Sequence, residues 1–380
     1  MLGLLALLLC LVTLPVRGQE GAGRHLVEGP TREVVPSLDL GFGYDGNVWH
    51  TPDAVGAPLL RLSPAVEAQI RRPDGELDLD ARYTLRLYAP GTGLFAYSRW
   101  MDSSVDLVLA ARESRPVGFE LEAQAGVDDP QQVPARTRLR AALEPTAVFR
   151  PASAIDLRLG AALSGEEYRE GLGASASGGL GPRLEIGPTW EAKWRFFPRT
   201  AVVIEGSWLL DLRVGATGTL FDLMGGLRGR LTPRLTLALM AGYGAANVGG
   251  VPALGGPQRL LVLARIERAL HMGSASLTYR KGFSDPHFTE LVSFQRIDGQ
   301  LKAQPWGRLG YALEASGRGE VYLGTITQVD LVAEVRPLLS WQASSRLAVT
   351  GGGGWWLRMS SDPASSWGDW EVLVGASGRW

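Results

Sequence analysis

The feature that most constrains this chain is a strict alternation of apolar and polar residues, repeated in segment after segment. From Leu60 to Ile70 the even positions carry Leu60, Leu62, Val66, Ala68 and Ile70, while the odd ones carry Arg61, Ser63, Glu67 and Gln69, with Arg71 following. Successive side chains of a strand point to opposite faces, so this pattern predicts a strand with one oily and one charged side. Arg72-Pro73-Asp74-Gly75 supplies a tight turn. The next segment sets Leu77, Leu79, Ala81, Tyr83, Leu85 and Leu87 against Glu76, Asp78, Asp80, Arg82, Thr84 and Arg86. Together these form a hairpin. If the turn pairs its flanks directly, Arg71 faces Glu76 and Glu67 faces Asp80, a like-charge pair that the diagonal Arg82 would have to offset.

The pattern continues through Phe119 to Val127, which carries Glu120 and Glu122, through Leu139 to Phe149, entered by Arg138 and Arg140, and through Ile155 to Leu163. It is clearest from Leu180 to Phe196. There Leu184, Ile186, Trp190, Ala192, Trp194 and Phe196 alternate with Arg183, Glu185, Thr189, Glu191, Lys193 and Arg195. Further strands are expected near Val202–Leu212, Thr219–Leu231, Leu235–Tyr243, Leu260–Ile266 and Ala275–Phe283. Four or five more fall between Thr289 and Trp356, and a last one at Trp370–Trp380. The total is about 18, an even number.

Connection lengths give the topology. Short, often proline-built links at Arg72–Gly75, Ser114–Val117, Arg150–Ser153, Phe197–Thr200 and Thr232–Arg234 alternate with longer ones. The longer links are Asp45–Ala57, Ala89–Ser103, Asp128–Ala135, Gly165–Gly179, Gly244–Pro257 and Arg358–Trp367. Short turns on one side and long loops on the other are expected of an outer-membrane barrel, whereas a soluble sandwich has no reason to alternate in this way. Many of the 12 tryptophans, among them Trp49, Trp100, Trp306, Trp341, Trp355, Trp356, Trp367, Trp370 and Trp380, sit near expected strand ends, as an interfacial girdle would. The expectation is an all-β, antiparallel, up-and-down transmembrane β-barrel over residues 36–380.

The amino terminus points to export. Leu2 to Leu14 is almost unbroken Leu, Ala and Val, too short to span a bilayer, and is followed by a small-residue cleavage site before Gln19. Residues 1–18 are read as a signal peptide and residues 19–35 as a short periplasmic tail, with both termini of the mature chain in the periplasm of a Gram-negative cell. That tail is too short for a plug or passenger domain. The single cysteine, Cys10, leaves with the signal, so disulfides and cysteine-based metal sites are not expected. Loss of Arg17 takes the net charge from −1 to −2, which argues against nucleic acid as a partner.

The first expected strand and its loop read Leu38-Asp39-Leu40-Gly41-Phe42-Gly43-Tyr44-Asp45-Gly46-Asn47-Val48. This resembles the opening Gly-Tyr-Asp-x-Asn-Val signature of a family of bacterial outer-membrane β-barrel porins, members of which often accompany exopolysaccharide machinery. The match covers about eight residues and is also what a strand followed by an Asx turn would show. The resemblance implies a porin-like barrel, and it raises polysaccharide passage, with the export machinery as partner. The ending, with Trp370, Val372, Val374, Ala376, Gly378 and Trp380 spaced by two, resembles the signal read by the barrel-assembly machinery.

On this reading the charged faces line a lumen wide enough for water. The pore-lining candidates are Arg61, Glu67, Arg71, Asp78, Asp80, Arg82, Arg86, Glu120, Glu122, Arg138, Arg140, Arg183, Glu185, Glu191 and Arg195. They either orient polar solutes or form a solvated wall. The leading expectation is a passive channel for hydrophilic solutes, with outer-membrane lipid and lipopolysaccharide as surroundings. The alternatives are a closed adhesion barrel acting through its loops and an outer-membrane enzyme. The four histidines, His25, His50, His271 and His287, stand in no catalytic spacing. No metal or cofactor motif is visible, and the Gly351–Gly354 run reads as close packing within a strand rather than a phosphate loop.

Overall fold

The computed structural model describes residues 31–47, 56–72, 75–88, 101–113, 116–128, 136–170, 182–213, 216–248, 259–284, 291–323 and 328–380. The residues read as a signal peptide and those read as a tail up to residue 30 lie outside these, as do Trp49, Trp100, His25, His50 and His287.

Eighteen strands stand among the described residues. The first six are β1 (Thr31–Asp45), β2 (Ala57–Arg72), β3 (Gly75–Tyr88), β4 (Met101–Glu113), β5 (Val117–Asp128) and β6 (Arg136–Ala152). Then come β7 (Ile155–Glu170), β8 (Arg183–Phe197), β9 (Thr200–Arg213), β10 (Ala216–Thr232), β11 (Leu235–Val248) and β12 (Leu260–Leu270). The last are β13 (Gly273–Ser284), β14 (Leu291–Trp306), β15 (Leu309–Leu323), β16 (Val329–Gln342), β17 (Leu347–Ser360) and β18 (Trp367–Arg379). Each pairs antiparallel with its sequence neighbours, and β1 pairs with both β2 and β18, which closes the sheet. Four strands fill the stretch from Thr289 to Trp356. β1 already begins at Thr31, inside the segment read as tail, because Thr31–Val35 find partners in Glu67–Arg71.

The outer face is apolar. Phe42, Leu159, Ile186, Trp208, Ile297, Leu331 and Val374 are exposed there, each on the parity that the alternation assigns to the oily side. Three girdle candidates, Trp306, Trp341 and Trp380, stand on this face at the short-turn end, joined by Trp194, while Trp355 and Trp370 stand toward the other end. Trp356 is different: it follows Trp355 and so points inward, where it is buried.

Strands run farther than the alternation suggests. β7 continues to Glu170 and β11 to Val248, into stretches expected as loop. Beyond the hydrocarbon layer both faces meet water, so the two-residue period fades while the ladder persists. The short turns at 198–199 and 233–234 fall where expected, and the one at 153–154 sits just past its expected place because β6 runs on to Ala152. Those at 73–74 and 114–115 lie outside the described residues. On the opposite side residues 214–215 alone separate β9 from β10, so the alternation of loop lengths breaks there.

Proline marks the openings in the ladder. Pairing between β2 and β3 skips Ser63 and Pro64, and that between β6 and β7 skips Glu144 and Pro145. Pro188 in β8 and Pro337 in β16 interrupt their ladders in the same way. A proline has no N–H to give, so the chain yields a rung without losing register.

The seam between β1 and β18 is fastened by the residues of the opening signature. Tyr44 stacks on Trp370 with ring centroids 5.3 Å apart. The Asn47 N–H donates to Asp45 Oδ1 at 3.0 Å, an Asx turn, and Asn47 Nδ2 donates to the Gly368 carbonyl at 2.9 Å. The Gly46 N–H reaches the Trp370 carbonyl at 2.7 Å.

Val374, at mid-strand in β18, tests the assignment of faces. Val374→Arg is expected to destabilise the barrel in lipid vesicles by about 2–4 kcal/mol. Thr350→Arg, whose neighbours across the ladder are Ser340 and Gly375 but which faces inward, is expected to cost under about 1 kcal/mol. Urea unfolding followed by tryptophan fluorescence measures both.

Candidate functional site

The interior wall is the candidate site, and the strand parity builds it. All fifteen pore-lining candidates fall on the face opposite the apolar one; for Arg138 only the backbone position, opposite Asp128 and Tyr168, is described. Arg71 meets Glu76 at 3.2 Å, as the turn register predicts. Gln69 donates to Glu76 and to Asp78, each at 2.8 Å. Glu67 does stand opposite Asp80, but its cation is not Arg82. Arg379 reaches it across β1 at 3.9 Å, a partner that only barrel closure brings near. Arg61 and Arg86 are directly opposed on β2 and β3, as are Glu122 and Glu144 on β5 and β6.

One side of the wall carries a continuous ionic chain. Arg158 on β7 meets Glu120 on β5 at 3.1 Å and Glu191 on β8 at 3.5 Å. Arg228 on β10 meets the same Glu191 at 3.3 Å and Glu205 on β9 at 3.0 Å. Signs therefore alternate from contact to contact, and Arg228 offsets the directly opposed Glu191 and Glu205 of β8 and β9. Beneath this layer lie inward-facing apolar residues: Val148, between Glu120 and Arg158, is fully buried, as is Val203, packed with Ala201 and Met240. Arginine stems cover apolar surface while their heads stay wet, so the wall here is an oily floor under an ionic roof. A recess of about 300 Å³ opens beside it, lined by Thr146, Gly160, Ser207 and Asp222. Toward the long-connection end, Arg183 bridges Glu185 and the fully buried Asp211, the latter at 3.0 Å. Toward the short-turn end, Asp156 holds Arg150 at 3.5 Å and also Arg195.

The other side, from β14 to β17, is where sequence reasoning named no pore-lining residue. Trp356 donates through Nε1 to Glu334 at 2.9 Å, and the Arg336 guanidinium lies 5.4 Å from its ring centroid. Arg318 covers Phe294 at 4.7 Å and pairs with Glu320 at 2.6 Å. Arg358 donates through Nε to Asp330 at 3.1 Å, and Gln328 donates to the same carboxylate at 3.0 Å. Tyr322 donates to Glu320 at 3.0 Å. Gly354 makes room for this cluster, since a Cβ there would overlap the Trp356 ring. Gly352 and Gly353 likewise lie against the neighbouring backbone, while Gly351 has open space, so close packing holds for three residues of the run.

Among the described residues no group of His, Cys, Asp and Glu could hold a metal ion. His271 lies in the turn between β12 and β13.

No protein-family model matches the sequence, and no curated protein is found similar to it. Solved outer-membrane proteins share the general shape at low likeness. OpdK of Pseudomonas aeruginosa, solved with vanillate, is 13% identical with a TM-score of 0.49, over 92% of this chain and 99% of that one. A BenF-like porin from Pseudomonas fluorescens Pf-5 is 12% identical with a TM-score of 0.49, over 94% and 100%. OccAB4 of Acinetobacter baumannii is 8% identical with a TM-score of 0.46, over 92% and 98%. At this level the likeness carries nothing about solute or mechanism, and the barrel stands on this chain's own strand register.

The Arg183–Asp211 pair tests the energetics of the wall. Arg183→Met leaves a buried carboxylate short of a cation and is expected to cost about 2–3 kcal/mol, below the range for a fully dry pair because Arg183 itself is partly exposed. The double variant Arg183→Met/Asp211→Leu is expected to recover most of that loss. Equilibrium unfolding of the single and double variants reads the difference.

Proposed function

We propose that this chain is a passive channel for hydrophilic solutes in the outer membrane of a Gram-negative bacterium. The observation that carries the reading is the pairing of faces on one closed sheet: apolar outward, charged and hydroxylated inward, around 18 strands. Barrels of this strand number enclose water unless something fills them. The apolar belt is matched to lipid, and a wall of this charge density is stable only when wet. Both ends of the described chain, Thr31 and Trp380, stand at the short-turn end. In such barrels that end faces the periplasm.

Two features of the inner wall define what it offers a solute. Its guanidiniums and carboxylates are largely paired with each other, so a neutral polar molecule passes without stripping a charge of its partner. Two of its aromatic rings lie under guanidiniums, Phe294 under Arg318 and Trp356 under Arg336, and Trp356 donates its indole N–H to Glu334. A saccharide chain sliding on open rings would find none of these rings bare, so polysaccharide export is the narrower reading and draws no support from this wall. The barrel-assembly machinery remains the proposed partner during biogenesis, through the outward face of β18.

Planar-bilayer recording of the refolded chain from residue 19 onward tests the reading. Steady, stepwise conductance is expected, roughly proportional to bulk salt conductivity at high ionic strength, where wall charges are screened. A folded, heat-modifiable barrel that inserts and never conducts would remove the open-channel reading.

A further inference from the structure

The short-turn mouth carries a recess of about 810 Å³, bounded by the inner faces of β14 to β18 and the turns between them. Lys302, Arg308, Arg346 and Arg379 line it together with His271, and among its lining residues there is no aspartate or glutamate. Elsewhere on the wall, arginine after arginine is met by a carboxylate: Arg158, Arg183, Arg228, Arg318, Arg336 and Arg358 each have one within ion-pair distance. Among the described residues Lys302, Arg308 and Arg346 have none. Arg379 has only the distant Glu67, at 3.9 Å. The neutral lining is polar too: Gln304, Ser340, Gln342, Thr350 and Ser377 supply amide and hydroxyl groups at the same depth.

The rest of that rim does not restore the balance. Arg199 and Arg234 stand on the β8–β9 and β10–β11 turns, and Arg230 on the inner face of β10 beside them. Among the described residues the acids of that rim include Glu33, Glu76 and Asp156, with Glu267 level with Arg230 and held by Arg265 at 3.2 Å. Glu76 is already held by Arg71, and Asp156 by Arg150 and Arg195. Above the recess Arg296 meets Asp298 at 2.6 Å, and Glu314 accepts a hydrogen bond from the neutral Gln300 at 2.6 Å, which makes it the first negative charge above the cations. Fixed positive charge is thus concentrated at one mouth, in a concave site whose low-dielectric walls focus the field.

We infer that this recess is a binding vestibule for small multivalent oxyanions, molecules that carry two or more carboxylates, phosphates or sulfonates. A multivalent anion satisfies several unpaired cations at once, which a monovalent one cannot. The hydroxyl and amide groups beside them offer its oxygens further donors. The inference rests on the channel reading for its consequence, anion capture from the short-turn side, but the site itself is a property of the folded barrel.

The experiment has two arms, using the chain from residue 19 onward and the triple variant Lys302→Gln/Arg308→Gln/Arg346→Gln. In the first, binding of the trivalent dye hydroxypyrene trisulfonate to the detergent-solubilised barrel is followed by fluorescence anisotropy at low and high salt. The wild-type barrel is expected to bind, with affinity falling about tenfold or more in the triple variant and in high salt. In the second, citrate is added to one side of a planar bilayer, with orientation fixed by a streptavidin-capped Ser153→Cys variant that marks the short-turn side. Block is expected from that side only, and is expected to weaken in the triple variant. Equal block from both sides, or dye binding that the triple variant leaves unchanged, would overturn the vestibule. A barrel that binds the dye through these residues but never conducts would leave the vestibule standing and remove the channel.

Discussion

Everything in this structure follows from one constraint: in hydrocarbon no water is present to satisfy a peptide N–H or carbonyl. A sheet obeys that constraint only by closing on itself. The pairing of β1 with β18 is therefore the contact on which the rest depends. It is made by a nine-residue run of partners from Ser37–Arg379 to Asp45–Glu371, and the Tyr44–Trp370 stack and the Asn47 amide fasten its far end. Closure also determines which distant residues meet. Glu67 reaches Arg379 only because the two ends of the sheet are neighbours.

Once the sheet is closed, the alternation of side chains divides labour between the faces. The outward set sees lipid and needs only to be apolar. The inward set must hold many charges at close quarters, and it does so mainly by pairing them across neighbouring strands over a buried apolar layer. Such pairing makes most of the wall electrically quiet. Against that background the short-turn mouth stands out because four cations gather there with no acid among the residues that line the recess, although like charges also meet elsewhere on the wall, as where Arg61 faces Arg86.

Much of the fold was legible in the sequence, because a barrel strand writes its two faces as a period of two. Leu77–Leu87 and Leu184–Phe196 state both faces residue by residue, and their lumen-facing charges followed from parity alone. The stretch after Thr289 was harder, for a physical reason. Phe294, Tyr322 and Trp356 put aromatic rings on the polar face, while Gly299, Gly317, Gly319, Gly351 and Gly353 leave the lipid face without side chains. With both faces diluted, the pattern no longer tells inside from outside: Trp356 reads as a girdle residue, and the charged members of the β14–β17 cluster go unnamed. Partners across the closing seam were illegible too. Arg379 and Glu67 are separated by almost the whole chain, and only the completed ring makes them adjacent.

The most direct test of the account is whether alternate residues of one strand see water and lipid. Single cysteines placed at each position from Leu184 to Trp194 of β8, in the chain from residue 19 onward reconstituted in vesicles, can be labelled with a charged thiol reagent and with a fluorophore quenched by brominated lipid. The account predicts rapid labelling at positions 185, 187, 189, 191 and 193, and lipid quenching at 184, 186, 188, 190, 192 and 194. Uniform behaviour along the strand, or labelling confined to its ends, would contradict a water-filled barrel.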